Sequence, residues 1–296
     1  MPLQSGRNQS ILAHPPRQSF TQGLLFGGGV APGYEGCDTF GISITARCDA
    51  ANDKVCTYNY LPVVALDDWL HRDGKQILAQ RLRADSMGGL ANLLKECGYS
   101  TSILETESPE VIATRLFPPD SIDKKIAAVR KKAEAILAKF ALAQRAEQSS
   151  PKDRVCVEIR TNYLKLVSGM LDDLVRHKLQ GYYFLDCVDV NGDDRGYVVL
   201  VREIQAMPRE LTQLILDGLD AHGFGFACEK FPEFRGRLQF GNATFAMPLA
   251  ILKSPNVEHL LQTFAMLFSR IGLADTDPSY ITSLWDKQPS VVEREP

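Results

Sequence analysis

The chain has almost no excess of either charge. Its 33 Lys and Arg face 36 Asp and Glu, for a formal net charge of −3. The chain as a whole is therefore no electrostatic magnet for nucleic acid, and any such binding needs a local basic patch. Long apolar runs are missing as well. None approaches the roughly 18 residues of a membrane span. The N-terminal MPLQSGRNQSILAHPPRQS lacks the apolar centre of a signal peptide. The expectation is a cytoplasmic protein without membrane contact. Paired cysteines are absent too. Cys37, Cys48, Cys56, Cys97, Cys156, Cys187 and Cys228 are odd in number and irregular in spacing, with no C-x-x-C. Neither a disulfide framework nor a zinc site is expected, and no metal or cofactor is called for.

What is present fits an ordinary globular chain. Apolar residues make up 45% of the 296, enough for a sizeable core at this length. Residues 1–19 read as a loose tail closed by Pro15 and Pro16. Gln22 to Phe26 is a short strand candidate. Gly27, Gly28, Gly29 and Gly33 with Pro32 form a glycine loop, expected to be a flexible connection because it does not match G-x-x-x-x-G-K-[ST]. Phe40, Ile42 and Ile44 alternate with Gly41, Ser43 and Thr45, a half-buried strand, and Val55 to Val64 is richer in β-branched and aromatic residues.

The texture then turns helical, from Asp67 through Asp123–Gln148 and a long helix over Val155 to Lys178 that Gly181 ends. Strands return at Tyr182 to Val190 and Gly196 to Ile204, joined by a turn at Asn191-Gly192. A short helix follows at Pro208 to Leu219. The last strands are Leu238 to Phe240 and Phe245 to Leu252. Pro255 to Ile271 is an amphipathic helix with Ser254 as N-cap, and a shorter helix is expected at Tyr280 to Trp285. The order predicts an α+β fold: a small, mostly antiparallel β-barrel interrupted by a helical insertion, with a C-terminal amphipathic helix. The segments are 1–19 (tail), 20–66 (first part of the barrel), 67–180 (insertion), 181–253 (second part) and 254–296 (C-terminal helices).

Two constellations carry chemistry. Thr45, Arg47, Cys48 and Asp49 lie in the turn that ends the first long strand. A thiol, a carboxylate and a guanidinium there suit a small site, and equally a turn tied by its Asp. A nucleophilic Cys needs a cation or helix N-terminus and a base. Arg47, Asp49 and Arg202 stand at barrel ends, and no His lies in the predicted strands. That tips the balance from catalysis to binding. The second constellation is the lysine-rich helix, where Lys124 and Lys131 recur at a seven-residue step beside Lys132. Such a stripe suits phosphate contacts or, more ordinarily, a solvated face. The apolar stripe of the Pro255 to Ile271 helix is expected to serve mainly the core, with a remainder available to a protein partner or a second copy.

The segment Ile44-Thr45-Ala46-Arg47-Cys48-Asp49 with Asn59-Tyr60-Leu61-Pro62-Val63-Val64 resembles a group of bacterial proteins found among restriction and phage-defence genes. So does Ser254-Pro255 through Leu260-Leu261-Gln262, Phe264, Phe268 and Arg270-Ile271-Gly272. The match covers the two ends of the chain and implies a defence setting rather than a chemistry. Gln22-Gly23-Leu24-Leu25-Phe26, Phe40 to Thr45 and Val55 to Val64 also follow the order of strands that opens MazF-like toxin barrels. That resemblance implies an SH3-like barrel. In such ribonucleases an Arg and a Ser or Thr carry the cleavage, roles that only Arg47 and Thr45 answer here. Their spacing departs from the toxin pattern, and the helical insertion is foreign to those proteins. The expected function is an intracellular binding or regulatory component of a system acting against phage or mobile elements, through protein or nucleic-acid contacts. The alternatives are a toxin-like nuclease and a structural subunit of a larger complex.

Overall fold

A computed structural model describes residues 11–51, 55–118, 124–151, 153–192, 195–241 and 245–268. In chain order the elements are β1 (Leu12–Ala13), β2 (Leu24–Gly27), β3 (Thr39–Ser43), α1 (Arg47–Ala51) and β4 (Thr57–Ala65). Six helices follow: α2 (Leu66–His71), α3 (Asp73–Glu96), α4 (Pro109–Leu116), α5 (Lys124–Gln148), α6 (Val155–Asn162) and α7 (Leu164–Val175). Then come β5 (Tyr182–Leu185), β6 (Tyr197–Leu200), β7 (Gln205–Pro208), α8 (Arg209–Asp217), β8 (Leu219–Asp220), α9 (Ala221–Lys230), β9 (Phe245–Ala246), β10 (Pro248–Leu252) and α10 (Asn256–Phe268). The protein is a mixture of helix and sheet, and its main sheet is antiparallel and curls into a half barrel. The expected end of the last helix at Ile271 and the short helix at Tyr280 to Trp285 lie outside the described residues.

β4 is the axis of the sheet. Its aromatic and β-branched side chains favour the extended state. The strand order is β1-β10-β2-β3-β4-β6-β5, with β7 also on β4. β6 pairs with the C-terminal end of β4 and β7 with its N-terminal end. Pro62 explains the gap between them. Ile44 N–H donates to Asn59 O (2.9 Å), so residues 59, 61 and 63 exchange bonds with β3 and residue 62 faces the other neighbour. A proline has no N–H to offer there. The chain bulges out over Val201–Ile204 opposite it, then rejoins as β7, a strand the sequence did not announce.

Side chains alternate along each strand, so the sheet has two apolar faces. The inner face collects Leu12, Leu25, Ile42, Leu61, Val63, Tyr183, Leu185, Val199, Ala250 and Leu252 in one core. Because strands from both ends of the sheet contribute, the sheet must curl around it. α10 closes the open side with Val257 and Leu260 buried and Leu261, Phe264 and Leu267 packed behind them, while Met266 and Phe268 stay exposed. The outer face is backed twice. Val64, Val198 and Leu200 meet Trp69, Leu78, Leu82, Met170 and Leu174 of the helical segment. Phe26, Tyr58 and Tyr60 meet Leu211 and Ile215 of α8 and Phe234. A separate small core joins α3, α4 and α5 through Leu90, Leu94, Ile112 and Ala133. No helix among the described residues is long and apolar enough to cross a membrane.

Three expectations are corrected. Leu12 and Ala13, inside the stretch read as a loose tail, pair with β10. The glycine loop is packed rather than flexible. A Cβ on Gly29 would lie 2.5 Å from Phe40 O. The loop is also tied to its surroundings, because the Gln239 side chain donates to Tyr34 O (2.8 Å) and Tyr34 Oη donates to Asp73 Oδ2 (3.1 Å). The single long helix expected over 155–178 is two helices, broken at Tyr163 (φ −131°, ψ 46°).

Candidate functional site

The site begins where α7 stops. Lys178 N–H donates to Asp173 O (2.8 Å) and His177 N–H to Leu174 O (3.0 Å). These two bonds close a helix end that requires a left-handed residue at position 177, ordinarily a glycine. Here the residue is His177, with φ 54°. An L-residue in that conformation costs about 1 kcal/mol. Something outside the backbone must favour the imidazole.

The ring lies flat on Tyr183, with centroids 4.0 Å apart and planes 14° from parallel. Its Nδ1 faces the N–H of Phe184 at 3.5 Å. His259, on the polar side of α10, approaches from across the barrel end. Its ring centre is 5.1 Å from that of His177. The Tyr183 hydroxyl lies 3.3 Å from His259 Nδ1 and 3.5 Å from the Asn256 carbonyl oxygen. Burial raises the Tyr183 phenol to about 12, so it stays protonated. Gly181 (φ 89°) opens the third side. A Cβ there would stand 2.6 Å from Arg202 Nε, so only glycine lets Arg202 lie across this turn. Gly181 therefore does not end the helix, as its position suggested. It starts β5 and admits a guanidinium.

His177, Gly181, Arg202 and His259 line a cleft of about 610 Å³. Lys178, Arg202 and the two imidazoles form its polar part, and Leu179, Met266, Leu267 and Phe268 its apolar part. Among the described residues no carboxylate lines it, and no group of three His, Cys, Asp or Glu converges as metal ligands. The arrangement suits a negatively charged ligand with an apolar portion. It also holds two imidazoles, the side chain most often used to carry protons.

Burial, with a smaller push from His259, holds His177 below its ordinary 6.5. The unfolded chain takes up a proton near that value and the folded protein resists it. This contribution to stability is complete above the ordinary value and is lost as pH falls below it. The melting temperature should fall between about pH 7.5 and about pH 5. His177→Asn, which tolerates the left-handed backbone, should flatten that fall. An equally deep fall in the variant would clear His177 as its source.

Of the residues singled out from sequence, Arg202 lines the cleft and the others lie elsewhere. Thr45 is buried, and its Oγ1 accepts the Asn59 N–H (2.8 Å), tying the end of β3 to β4. The stretch expected to be a turn winds into α1, where Arg47 and Cys48 are exposed and Cys48 Sγ lies 3.6 Å from Asp49 Oδ1. Arg47 reaches Glu258 at 3.9 Å, the residue before His259. The Ser254 hydroxyl donates to Glu258 (2.7 Å) and is the main cause that holds its carboxyl below the usual range. In the lysine helix, Lys132 pairs with Glu96 (3.1 Å), and Lys131 is exposed. The side chain of Lys124 lies outside the described residues. All seven cysteines are free thiols.

Strand inspection missed His177 and His259 because both come from helix ends and helix faces. A polar-face His on α10 and a His four residues before Gly181 were the only signals, and nothing in sequence connects them. In comparisons with known proteins, no family model, no curated protein and no solved structure matches this chain.

Proposed function

We propose that this protein is a binding or regulatory component that takes an anionic ligand in the cleft between α7, β5 and α10. One observation carries the reading: Lys178, Arg202, His177 and His259 converge on a cleft without an opposing carboxylate among the described residues. The resemblance of the chain's two ends to proteins found among defence genes supports a regulatory, cytoplasmic setting in a bacterial cell. The test is titration calorimetry with a phosphate-bearing probe at several salt concentrations and pH values. Binding should weaken as salt rises. It should strengthen as pH falls through the imidazole range, because a bound anion favours the protonated ring. Arg202→Ala should weaken it at least about 10-fold, as loss of a charge-assisted hydrogen bond does. Binding that ignores both pH and Arg202 would remove this cleft from consideration.

A second reading is toxin-like cleavage of phosphodiesters, and the paired imidazoles favour it. Two such rings beside an Arg and a Lys are the parts needed for a metal-independent acid and base with charge stabilisation. The curled antiparallel sheet supports an SH3-like barrel as part of the same reading. Incubation with single-stranded RNA in a chelator decides between the two. Cleavage that falls about 100-fold in both His177→Asn and His259→Gln would establish the enzyme. Binding without cleavage favours the regulatory component.

A further inference from the structure

The cleft is much larger than the charge it offers requires. Liquid water occupies about 30 Å³ per molecule, so the space of about 610 Å³ holds roughly twenty waters. A bare phosphate fills a small part of it. The rest is bounded by the second half of α10. His259 marks one end and Leu267 stands two turns further on, about 12 Å along the axis at 1.5 Å per residue. Met266 and Phe268 remain 52% and 49% exposed there. Half-exposed large apolar side chains that line a concave site are what a ligand covers. Phe268 is not a loose tip. It packs on Phe264 at 5.1 Å, and Phe264 belongs to the inner core. Thr263 and Gln180 supply uncharged hydrogen-bonding groups between the two parts.

We infer that the ligand is bipartite: a phosphate monoester that carries an aromatic ring, of about nucleotide size, with its phosphate against Arg202, Lys178 and the imidazoles and its ring against Met266 and Phe268. This rests on the anion reading above and adds to it the second half of the molecule. The absence of a lining carboxylate among the described residues fits the phosphate end. The exposed apolar wall fits a ring better than a polar sugar chain, because only apolar surface gains by leaving water there. Aromatic ring faces also suit Met and Phe neighbours.

Four probes test it on the full chain by calorimetry: inorganic phosphate, 1-naphthol, 1-naphthyl phosphate and AMP. The two ring phosphates should bind at least about 10-fold more tightly than inorganic phosphate, the gain from covering one ring. 1-Naphthol should bind no better than inorganic phosphate. Phe268→Ala should remove the advantage of the ring phosphates and leave the affinity for inorganic phosphate unchanged. Met266→Ser should do the same in smaller measure. Both side chains are half exposed, so unchanged melting temperatures will show that the variants fold. Ring phosphates no tighter than inorganic phosphate, or a Phe268→Ala variant that weakens all probes equally, would overturn the bipartite ligand and leave the anion site standing. 1-Naphthol as tight as its phosphate would overturn the phosphate end. No binding by any probe would overturn both.

Discussion

Gly41→Ala is expected to destabilise the protein by about 3 kcal/mol, at the upper end for one added methyl in a packed core. Gly41 sits in the middle of β3 opposite Pro62. A Cβ there would lie 2.3 Å from Phe26 Cζ and 2.8 Å from Tyr60 Cδ2. The two rings meet edge to face over the missing side chain, with centroids 5.1 Å apart. Neither can withdraw at small cost. Phe26 is fully buried and also packs on Phe20 (5.2 Å), and the Tyr60 hydroxyl accepts the Val30 N–H (3.0 Å). The entropy gain of Ala over Gly, about 0.5–1 kcal/mol, acts in the other direction and loses. Denaturant unfolding measures the effect. Phe26→Leu combined with Gly41→Ala should recover part of it. Full stability in the single variant would mean that the rings do not fill the space above Gly41.

Lys75→Met should cost about 3 kcal/mol or more, although Met keeps most of the apolar stem. Lys75 is only 2% exposed. Its ammonium donates to Ser149 O (2.5 Å), Ser149 Oγ (3.1 Å) and Ser150 O (3.1 Å). Three donors meet three acceptors, which uses the whole hydrogen-bonding capacity of the group. These acceptors lie just past Gln148, where α5 ends and its partial negative charge is exposed. Lys75 is thus the cap of a helix other than its own. Without it, these part-buried acceptors lose a charged donor, and Ser150 O keeps the Asp153 N–H (3.2 Å). Arg is too long and planar to restore the geometry, so Lys75→Arg should rescue little. Hydrogen exchange should show the last turn of α5 opening first. A Met variant as stable as the parent would show that water replaces the ammonium at no cost.

Neither effect was legible in the sequence. A Lys in a helical run reads as surface, and only tertiary packing turns Lys75 inward. Gly41 read as the solvent side of an alternating strand. It lies instead on the second apolar face, since the sheet is covered on both sides. The alternation of Phe40, Ile42 and Ile44 did place the inner core, and the stripe of Val257, Leu260, Leu261 and Phe264 did place α10, because each signal is local and periodic. Composition alone sufficed for α5. Local signals failed where neighbours decide. The 3–4 spacing runs unbroken across Tyr163, since α6 and α7 both bury residues in one core. α9 carries two glycines and leans on Asp220, whose Oδ1 accepts the Gly223 N–H (2.6 Å). The glycine loop is glycine-rich for close approach, a property of what lies against it. The candidate cleft joins a helix end to a helix far along the chain, and no spacing rule spans that distance.

A half barrel leaves a strand edge open, and open edges are where copies of a protein stick to one another. At one end the edge is β1, only two residues long. At the other it is β5. Val201 N–H donates to Gly181 O (2.9 Å), so residues 181, 183 and 185 face β6, and the amides of Tyr182 and Phe184 point outward. Tyr182 N–H already donates to Leu179 O (3.3 Å), and Phe184 N–H faces His177 Nδ1. An incoming strand finds no spare donor on that rail. The left-handed histidine, beside its place in the cleft, thus also blunts an open sheet edge by occupying one of its two outward amides.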